Sequence, residues 1–597
     1  MKTLIIALNS KYIHSALAPW YLKAACKDTC GEVGVAEFTI NENPETVLAA
    51  IYAEKAEVAA FSCYIWNIGQ VLRIAENLKK IRPGMILVFG GPEVSYDPVA
   101  LLQESPQVDY VVSGEGEVPF PKLLECIHTA FRAGSGKPEH DVRILDKLQQ
   151  IPGLTYRNGD KVESNPPGLP VELSGITSPY SGEMLEAIKG KIAYFEASRG
   201  CPFSCSYCLS SADEGVRFFP AERVKEELKA LVNAGVRQVK FVDRTFNCNK
   251  ERAKDILRFI AALKTEASSR NESASALTNF HFEAAADLFD DELITILASL
   301  PKGLVQLEIG VQTTNTDTLM AVSRKTDIDK AFKNIRRILQ PGNIHLHLDL
   351  IAGLPYEDFD SFGESFDNVY GLKPHTLQLG FLKLLKGSPI RRESGRHGYI
   401  FRDYAPYEVL SNKYIGYDEL TVLKGVEELL DRYWNSGRFT VALEYIVHKF
   451  FSSAFEFYLG FYRYNLSVSR NIQSVSSRDL TAFLLEYATS LESIDIVSIK
   501  ECLKLDFLAS DSSGHLPEGL ERSLPPGFLD RCHEFLRNPD KLAEYLPQFI
   551  GTPAKQIMKQ VHFEVISMQV FLFDYTDRDT VTGRYKFIPI DFAISDL

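Results

Sequence analysis

The run Arg199-Gly200-Cys201-Pro202-Phe203-Ser204-Cys205-Ser206-Tyr207-Cys208 decides how the rest of this 597-residue chain reads. Its cysteines are spaced Cys-x3-Cys-x2-Cys. Three thiolates on one short loop can hold three corners of a cubane iron–sulfur cluster. Ferredoxin-type ligation uses four thiolates, so three leave one iron open to a substrate or cofactor. Gly200 and Pro202 keep the backbone out of a helix, and a loop can wrap a cluster where a helix would point thiols outward. The alternatives are a structural zinc site and three buried free thiols. Zinc wants a fourth Cys or His. The next cysteine, Cys248, lies forty residues on, and no histidine stands near the loop.

A βα series begins at Ile192–Glu196, just before the cysteines. Its further strands are Gln238–Val242, Asn279–Ala284, Leu304–Ile309, His345–Ile351 and Thr376–Leu382, with helices such as Glu222–Asn233 and Lys250–Lys264 between them. That count suits an open, partial α/β barrel. Residues upstream alternate in the same way. Strands are expected at Thr3–Leu8, Val35–Ile40, Val58–Cys63, Met85–Phe89 and Tyr110–Val112, with helices at Ser15–Cys26 and Pro44–Glu54. This predicts a parallel sheet with helices on both faces, whose ligands bind beyond the strands' carboxyl ends. Between the two series, Tyr156-Arg157-Asn158-Gly159-Asp160 carries an Asn-Gly turn signal. After about residue 400 the pattern turns mainly helical and aromatic, with helices at Asp418–Trp434, Val441–Leu459, Arg478–Ser490 and Pro526–Arg537. A hairpin of Val565–Tyr575 with Tyr585–Phe592 closes the chain. The expected parts are a Rossmann-like domain (1–134), a linker with a small β element (135–190), a partial barrel (191–400) and a mainly α-helical C-terminal domain (401–597).

The composition is 45% hydrophobic and 24% charged, which is ordinary for a folded protein. A formal net charge of −13 argues against a general nucleic-acid binder. No apolar run reaches the roughly 18 residues that span a bilayer, and no signal-peptide pattern is present. Ten cysteines, three clustered and the rest scattered, do not make a disulfide framework. These features suggest a cytoplasmic, reducing setting.

The cysteine loop is the signature of radical S-adenosylmethionine (SAM) enzymes, and the chain closely resembles that family. The resemblance implies a 4Fe–4S cluster on Cys201, Cys205 and Cys208, with SAM on the open iron and Tyr207 near the adenine. It also implies reductive cleavage of SAM to start radical chemistry, with electrons from an external donor such as flavodoxin or ferredoxin. Active residues of α/β barrels lie at strand carboxyl ends. Those ends here read Val242-Asp243-Arg244-Thr245-Phe246-Asn247, Phe282-Glu283-Ala284, Glu308-Ile309-Gly310-Val311-Gln312 and Leu348-Asp349-Leu350. Arg324 stands twelve residues beyond Gln312. In this order they resemble the anaerobic coproporphyrinogen oxidase-like branch. By that likeness Asp243 lies beside the methionyl amino group, and Glu283, Gln312, Arg324 and Asp349 contact the ribose and methionyl groups. Arg can pair bidentately with a carboxylate, while Gln and Asp bond to hydroxyls. Taken singly, each of these residues also has an ordinary structural reading.

The first domain resembles the cobalamin-binding domains of B12-dependent radical SAM enzymes. The residues that carry this are Ser62, Gly90-Gly91-Pro92-Glu93 and Ser113-Gly114-Glu115-Gly116-Glu117. The resemblance makes Ser62, Gly90, Gly91, Gly114, Glu115 and Gly116 candidate cobalamin contacts. The loop after the first strand, Asn9 to Ser15, lacks the Asp-x-His-x-x-Gly motif of domains that supply an axial histidine, so His14 reads as a loop or packing residue. The alternative is a domain that has lost the cofactor and only packs on the barrel. The C-terminal third resembles an uncharacterised domain found on B12-type radical SAM proteins, and His448 and His533 read there as surface or packing residues. The expectation is cobalamin-dependent C-methylation. The alternatives are a radical SAM oxidoreductase, cyclase or rearrangement enzyme without methyl transfer, and a non-catalytic iron–sulfur sensor.

Overall fold

The computed structural model describes residues 1–134, 138–212, 215–269, 278–470, 472, 475–492 and 494–591. Its elements gather into two compact units. One comprises residues 1–308, 317–334 and 381–413, the other 309–316, 335–380 and 414–597.

The first unit opens with the expected parallel sheet: β1 (Lys2–Asn9), β2 (Glu32–Thr39), β3 (Val58–Ser62), β4 (Ile86–Gly90) and β5 (Tyr110–Val112). Strand residues alternate between two apolar layers, as a sheet covered on both faces requires. Leu4, Ile6, Phe61 and Phe89 pack on one side with Val71 and Ile74 of helix Ile68–Ile81. Ile5, Ala60, Val88 and Tyr110 pack on the other with Phe120 and Leu124 of helix Pro119–Ala133. The Asn-Gly hairpin forms β6 (Leu154–Asn158) and β7 (Lys161–Ser164). It does not stand apart as a linker element: it extends this sheet, antiparallel to β5, giving the order β2-β1-β3-β4-β5-β6-β7.

The barrel series begins in the same unit with β8 (Ile192–Phe195). A short antiparallel pair follows, β9 (Ser198–Gly200) and β10 (Val216–Phe218), which brackets the cysteine loop. Gly200 has φ +94°, and a Cβ there would collide with the carbonyl of Gly215 on the partner strand. Glycine is thus needed one residue before Cys201. β11 (Gln238–Phe241), β12 (Asn279–Glu283) and the start of β13 (Val305–Gln312) pair in parallel beyond β8. Along these strands phenylalanines face outward into the core, and polar residues face the other way. Gln238 bonds Asn279 and Gln306, and one layer on, Lys240 and His281 meet Glu308.

The second unit takes in the end of β13 together with β14 (His345–Ala352) and β15 (Thr376–Phe381). Mainly helical structure follows. The expected helix Val441–Leu459 is two helices, Thr440–Phe450 and Ala454–Val468. The break falls at Ser453, whose side chain caps the second helix by accepting the Glu456 amide. The C-terminal β structure is not a two-stranded hairpin but a three-stranded antiparallel sheet of β18 (Val561–Ile566), β19 (Gln569–Arg578) and β20 (Tyr585–Ile590), after the short pair β16 (Ile400–Phe401) and β17 (Val409–Ser411) of the first unit. The extra reversal is at Ser567-Met568, both with positive φ, in place of the usual Asn-Gly. Phe592 lies outside the described residues.

Candidate functional site

The cysteine loop is anchored through the backbone of one residue, Ser206. Ser206 N–H donates to the Val322 carbonyl, and its own carbonyl accepts from Ile390 N–H. Cys208 N–H closes a turn onto the Cys205 carbonyl at 3.1 Å. Cys205 is buried, while Cys201 and Cys208 are half-buried. The Thr245 hydroxyl lies 3.6 Å from Cys201 Sγ. Arg324 Nη1 lies 3.7 Å from Cys205 Sγ and donates to the Tyr207 hydroxyl at 3.1 Å. The sequence candidates Cys205, Tyr207 and Arg324 therefore do converge, with the guanidinium beside the Cys205 sulfur. Among the described residues no three His, Cys, Asp or Glu side chains converge as they would on a single metal ion. A cubane does not ask for that, because each thiolate binds its own iron. The donor set fits a cluster.

Asp243 has a different environment from the one expected. It is buried and accepts the Ala197 amide at 2.9 Å and the Ser198 hydroxyl. Burial pushes its carboxyl up to about 6. It ties the end of β11 to the turn between β8 and β9. Asn247 acts similarly, exchanging two hydrogen bonds with the Ala285 backbone at the end of β12. Glu283 stands half-buried at that strand end, beside Glu308 in register.

The residue that sequence reasoning missed is Arg199, two positions before Cys201. Its guanidinium, 14% exposed, meets Glu196 at 2.7 Å, Glu115 at 3.3 Å and Glu117. Arg217 also pairs with Glu115, which in addition accepts the Val171 amide. The acids of the Gly-Glu-Gly-Glu element are thus spent on the residues that lead into and out of the cysteine loop. Two further strand-end loops of the N-terminal sheet are fixed in the same way. Glu93, beside Gly90-Gly91, accepts from the Tyr407 hydroxyl and pairs with Lys386 at 3.3 Å. In the loop after β1, the Ser15 hydroxyl donates to the Ile192 carbonyl, and His14 Nδ1 lies 2.7 Å from the Tyr194 hydroxyl with the rings stacked. His14 is a packing residue, as its sequence context suggested.

Other cobalamin candidates divide. Gly91 has φ +113°, and a Cβ there would lie 2.5 Å from the Cys63 carbonyl, so the fold itself requires that glycine. Ser62 and Gly90 end neighbouring strands. Beyond β5 the Ser113 hydroxyl is buried without a hydrogen-bond partner, and a Cβ on Gly114 would meet nothing within 4 Å. A Gly116 Cβ would press on Leu22. An orphaned hydroxyl next to open space at a strand carboxyl end fits a ligand.

In the second unit, Gln312 has φ +74° and folds back over Gly310, where any Cβ would clash with its amide nitrogen. Its Oε1 is buried with no partner, as suits a residue awaiting a ligand's donor. Asp349 lies 2.9 Å from His347 on the same strand. Glu357 supports the turn after Gln312: its Oε1 accepts from the Thr313 hydroxyl and from Ser365 at 3.3 Å, while Oε2 has no partner. Burial pushes this carboxyl up to about 7.

Three family models match the chain: B12 binding domain over residues 3–124, radical SAM superfamily over 195–369, and Protein of unknown function (DUF4080) over 395–586. Among curated proteins, the chain is 27% identical over 366 residues to 2-(S-pantetheinyl)-carbapenam-3-carboxylate methyltransferase of Streptantibioticus cattleyicolor, covering 58% of this chain and 50% of that one. It is 28% identical over 350 residues to the cobalamin-dependent radical SAM methyltransferase TokK of Streptomyces tokunonensis, covering 56% and 48%. The chain thus matches about half the length of these relatives. Among solved structures, the cobalamin-dependent SAM radical enzyme OxsB with aqua-cobalamin and SAM bound aligns over 92% of this chain and 84% of its own, with a TM-score of 0.58 and 14% identity. That likeness is one of fold.

Two outcomes follow from the geometry. Replacing Arg199 with Met leaves buried Glu196 and half-buried Glu117 without their cation, and Glu115 with Arg217 alone. We expect it to lower stability by roughly 3 kcal/mol and to reduce the iron held after anaerobic reconstitution, while Arg217→Met, at the more open end, has the smaller effect on both. Glu357 has a folded pKa raised above its unfolded value of 4.5. The stability it contributes is therefore full below about pH 4.5 and is lost as pH rises through 7. Glu357→Gln should match wild type near pH 5 and exceed it by about 2–3 kcal/mol at pH 8, read from thermal melts across that range.

Proposed function

The chain is a radical SAM protein with an N-terminal B12-binding domain, and we propose that it is a cobalamin-dependent methyltransferase acting at an unactivated carbon. The observation that carries this is the buried Ser113 hydroxyl, without a hydrogen-bond partner and beside open space at Gly114, at a strand carboxyl end of the region that matches the B12 binding domain, in the unit that also holds the cysteine loop. Two relatives named as methyltransferases support the same reading.

Cys201, Cys205 and Cys208 would hold three irons of a 4Fe–4S cluster. Arg324 offsets the charge of Cys205 and stands near enough to the loop to take a SAM carboxylate bidentately. Tyr207, oriented by Arg324, gives an aromatic wall. Gln312 offers its unpartnered Oε1 to an ammonium or hydroxyl, and Glu283 and Asp349 offer further acceptors. Asp243 and Glu115 act by positioning the loop. Ser62, Gly90, Gly91, Gly114 and Gly116 line the strand ends for a corrinoid, with Ser113 as its hydrogen-bonding group. When bound, cluster-held SAM supplies the radical that removes hydrogen from a C–H bond, and the corrinoid supplies the methyl group. An external reductant, of flavodoxin or ferredoxin type, feeds the cluster.

The test is anaerobic purification of the full chain from cells supplied with cobalamin, followed by cluster reconstitution and turnover. About four irons and four sulfides should accompany one corrinoid, with both 5′-deoxyadenosine and S-adenosylhomocysteine as products. Cys201→Ala, Cys205→Ala or Cys208→Ala should abolish cluster and SAM cleavage together. Arg324→Gln should keep the cluster and weaken SAM binding at least about tenfold. Deoxyadenosine without homocysteine would remove methyl transfer and leave radical chemistry. A stable cluster that never cleaves SAM would remove both.

A further inference from the structure

The second unit contains a cavity of about 630 Å³ that plays no part in the site above. His345, the first residue of β14, lines it, as does His375, which stands just before β15. Asp349 lies four residues further along β14, roughly 13 Å away at strand spacing. The cavity is therefore at the amino-terminal end of these strands, whereas barrel chemistry belongs to the carboxyl-terminal end. Its volume lies within the usual range for small-molecule sites.

The walls have a definite chemistry. Trp434 and Tyr370 pack with ring centroids 4.4 Å apart, and the Trp434 indole N–H is already donated to the Pro374 carbonyl. His345 and His375 stack at 5.0 Å. These rings give planar surfaces for a planar ligand. One polar atom of the lining, Arg584 Nη2, is buried without a hydrogen-bond partner, while the Tyr370 hydroxyl faces that of Tyr458. The other terminal nitrogen of Arg584, Nη1, is engaged, pairing with Asp506 at 2.9 Å and bonding the Thr440 hydroxyl. Asp506 in turn accepts the amides of Val441 and Ala442 at the start of helix Thr440–Phe450. The arginine is thus fixed in place with one terminal nitrogen unused.

Charge narrows the ligand further. The lysine and arginine of the lining, Lys373 and Arg584, each already face a carboxylate, Glu444 and Asp506, and a further carboxylate of the lining, Asp367, accepts the Phe455 amide. The cavity has no surplus of positive charge for a dianion such as a phosphate monoester. A single carboxylate can still use the spare Arg584 donors. We propose that this cavity is a second ligand site that takes a small aromatic carboxylic acid, its ring against Trp434, Tyr370 and the histidine pair and its carboxylate on Arg584. It lies at the amino-terminal ends of β14 and β15, the ends that do not carry barrel chemistry, so it serves to sense or anchor a molecule rather than to transform it.

Trp434 supplies the readout, because any ligand on it changes its fluorescence. The probes are benzoate and nicotinate with their neutral counterparts benzamide and nicotinamide, titrated into the full chain. Both acids should alter the emission saturably and bind at least about tenfold tighter than the amides, as expected for a lost charged hydrogen bond. Trp434→Phe should remove the fluorescence change while saturation-transfer NMR still detects the acid. Arg584→Gln should weaken the acids at least about tenfold and leave the amides unchanged. Arg584→Lys, which keeps a charge to pair with Asp506 but lacks the second terminal nitrogen, should weaken the acids a few-fold and guards against misfolding of the glutamine variant. Absence of binding by both acids, equal affinity for acids and amides, or a signal that survives Trp434→Phe would overturn the proposal.

Discussion

A buried guanidinium cannot be left unpaired, and Arg199 is the one on which the first unit turns. It is 14% exposed, carries three carboxylates around it and packs its face near Tyr21 and Phe219. Removing the charge from water is costly, and only close, multiple pairing offsets it. Two of the partners come from the loop after β5, more than eighty residues earlier in the chain. The backbone that presents Cys201 is therefore held by the N-terminal sheet as much as by the barrel. Gly200 adds a steric condition, since β9 and β10 approach too closely there for any side chain. The loop is fixed by one electrostatic and one steric demand acting on adjacent residues.

The same economy governs the barrel strands. Phe241, Phe280 and Phe282 fill the outer core, so the opposite faces of β11 to β13 are free to carry polar groups. Those groups are matched layer by layer: amide with amide at Gln238, Asn279 and Gln306, then Lys240 and His281 on Glu308. A polar layer that is internally satisfied is rigid. Elsewhere, unsatisfied groups such as the Ser113 hydroxyl are the exceptions worth assigning to ligands.

What the sequence made legible was set by local pattern. Buried parallel strands are short continuous apolar runs, so Tyr110–Val112 and its neighbours could be read directly. The cysteine spacing is local too, and so is the order of strand-end residues. What escaped depended on contacts distant in the chain. Nothing near Arg199 announces Glu115 and Glu117, and nothing in the Asn-Gly hairpin says that it joins β5. A nearer signal was overlooked at Ser453-x-x-Glu456, a helix-start pattern inside what read as one helix. The turn at Ser567-Met568 offered no such signal, because neither residue favours positive φ. Asp243 was legible as a polar strand end, but its two hydrogen-bond partners, which make it a positioning residue, are set by the fold of β8 and β9.

His14 shows how such contacts limit chemistry. It is in the loop where an axial imidazole would be sought, yet its Nδ1 meets the Tyr194 hydroxyl and its ring stacks on that tyrosine. Burial lowers its pKa, with Lys11 and Lys240 acting in the same direction, so the neutral ring is favoured. A neutral imidazole has one donor and one acceptor nitrogen, and here one of the two is already used. The backbone of the loop is equally committed, with Ile192 N–H donating to the Ile13 carbonyl and Ser15 bonding back to Ile192. These contacts tie the end of β1 to the start of β8, which is the packing role that the sequence context of His14 suggests.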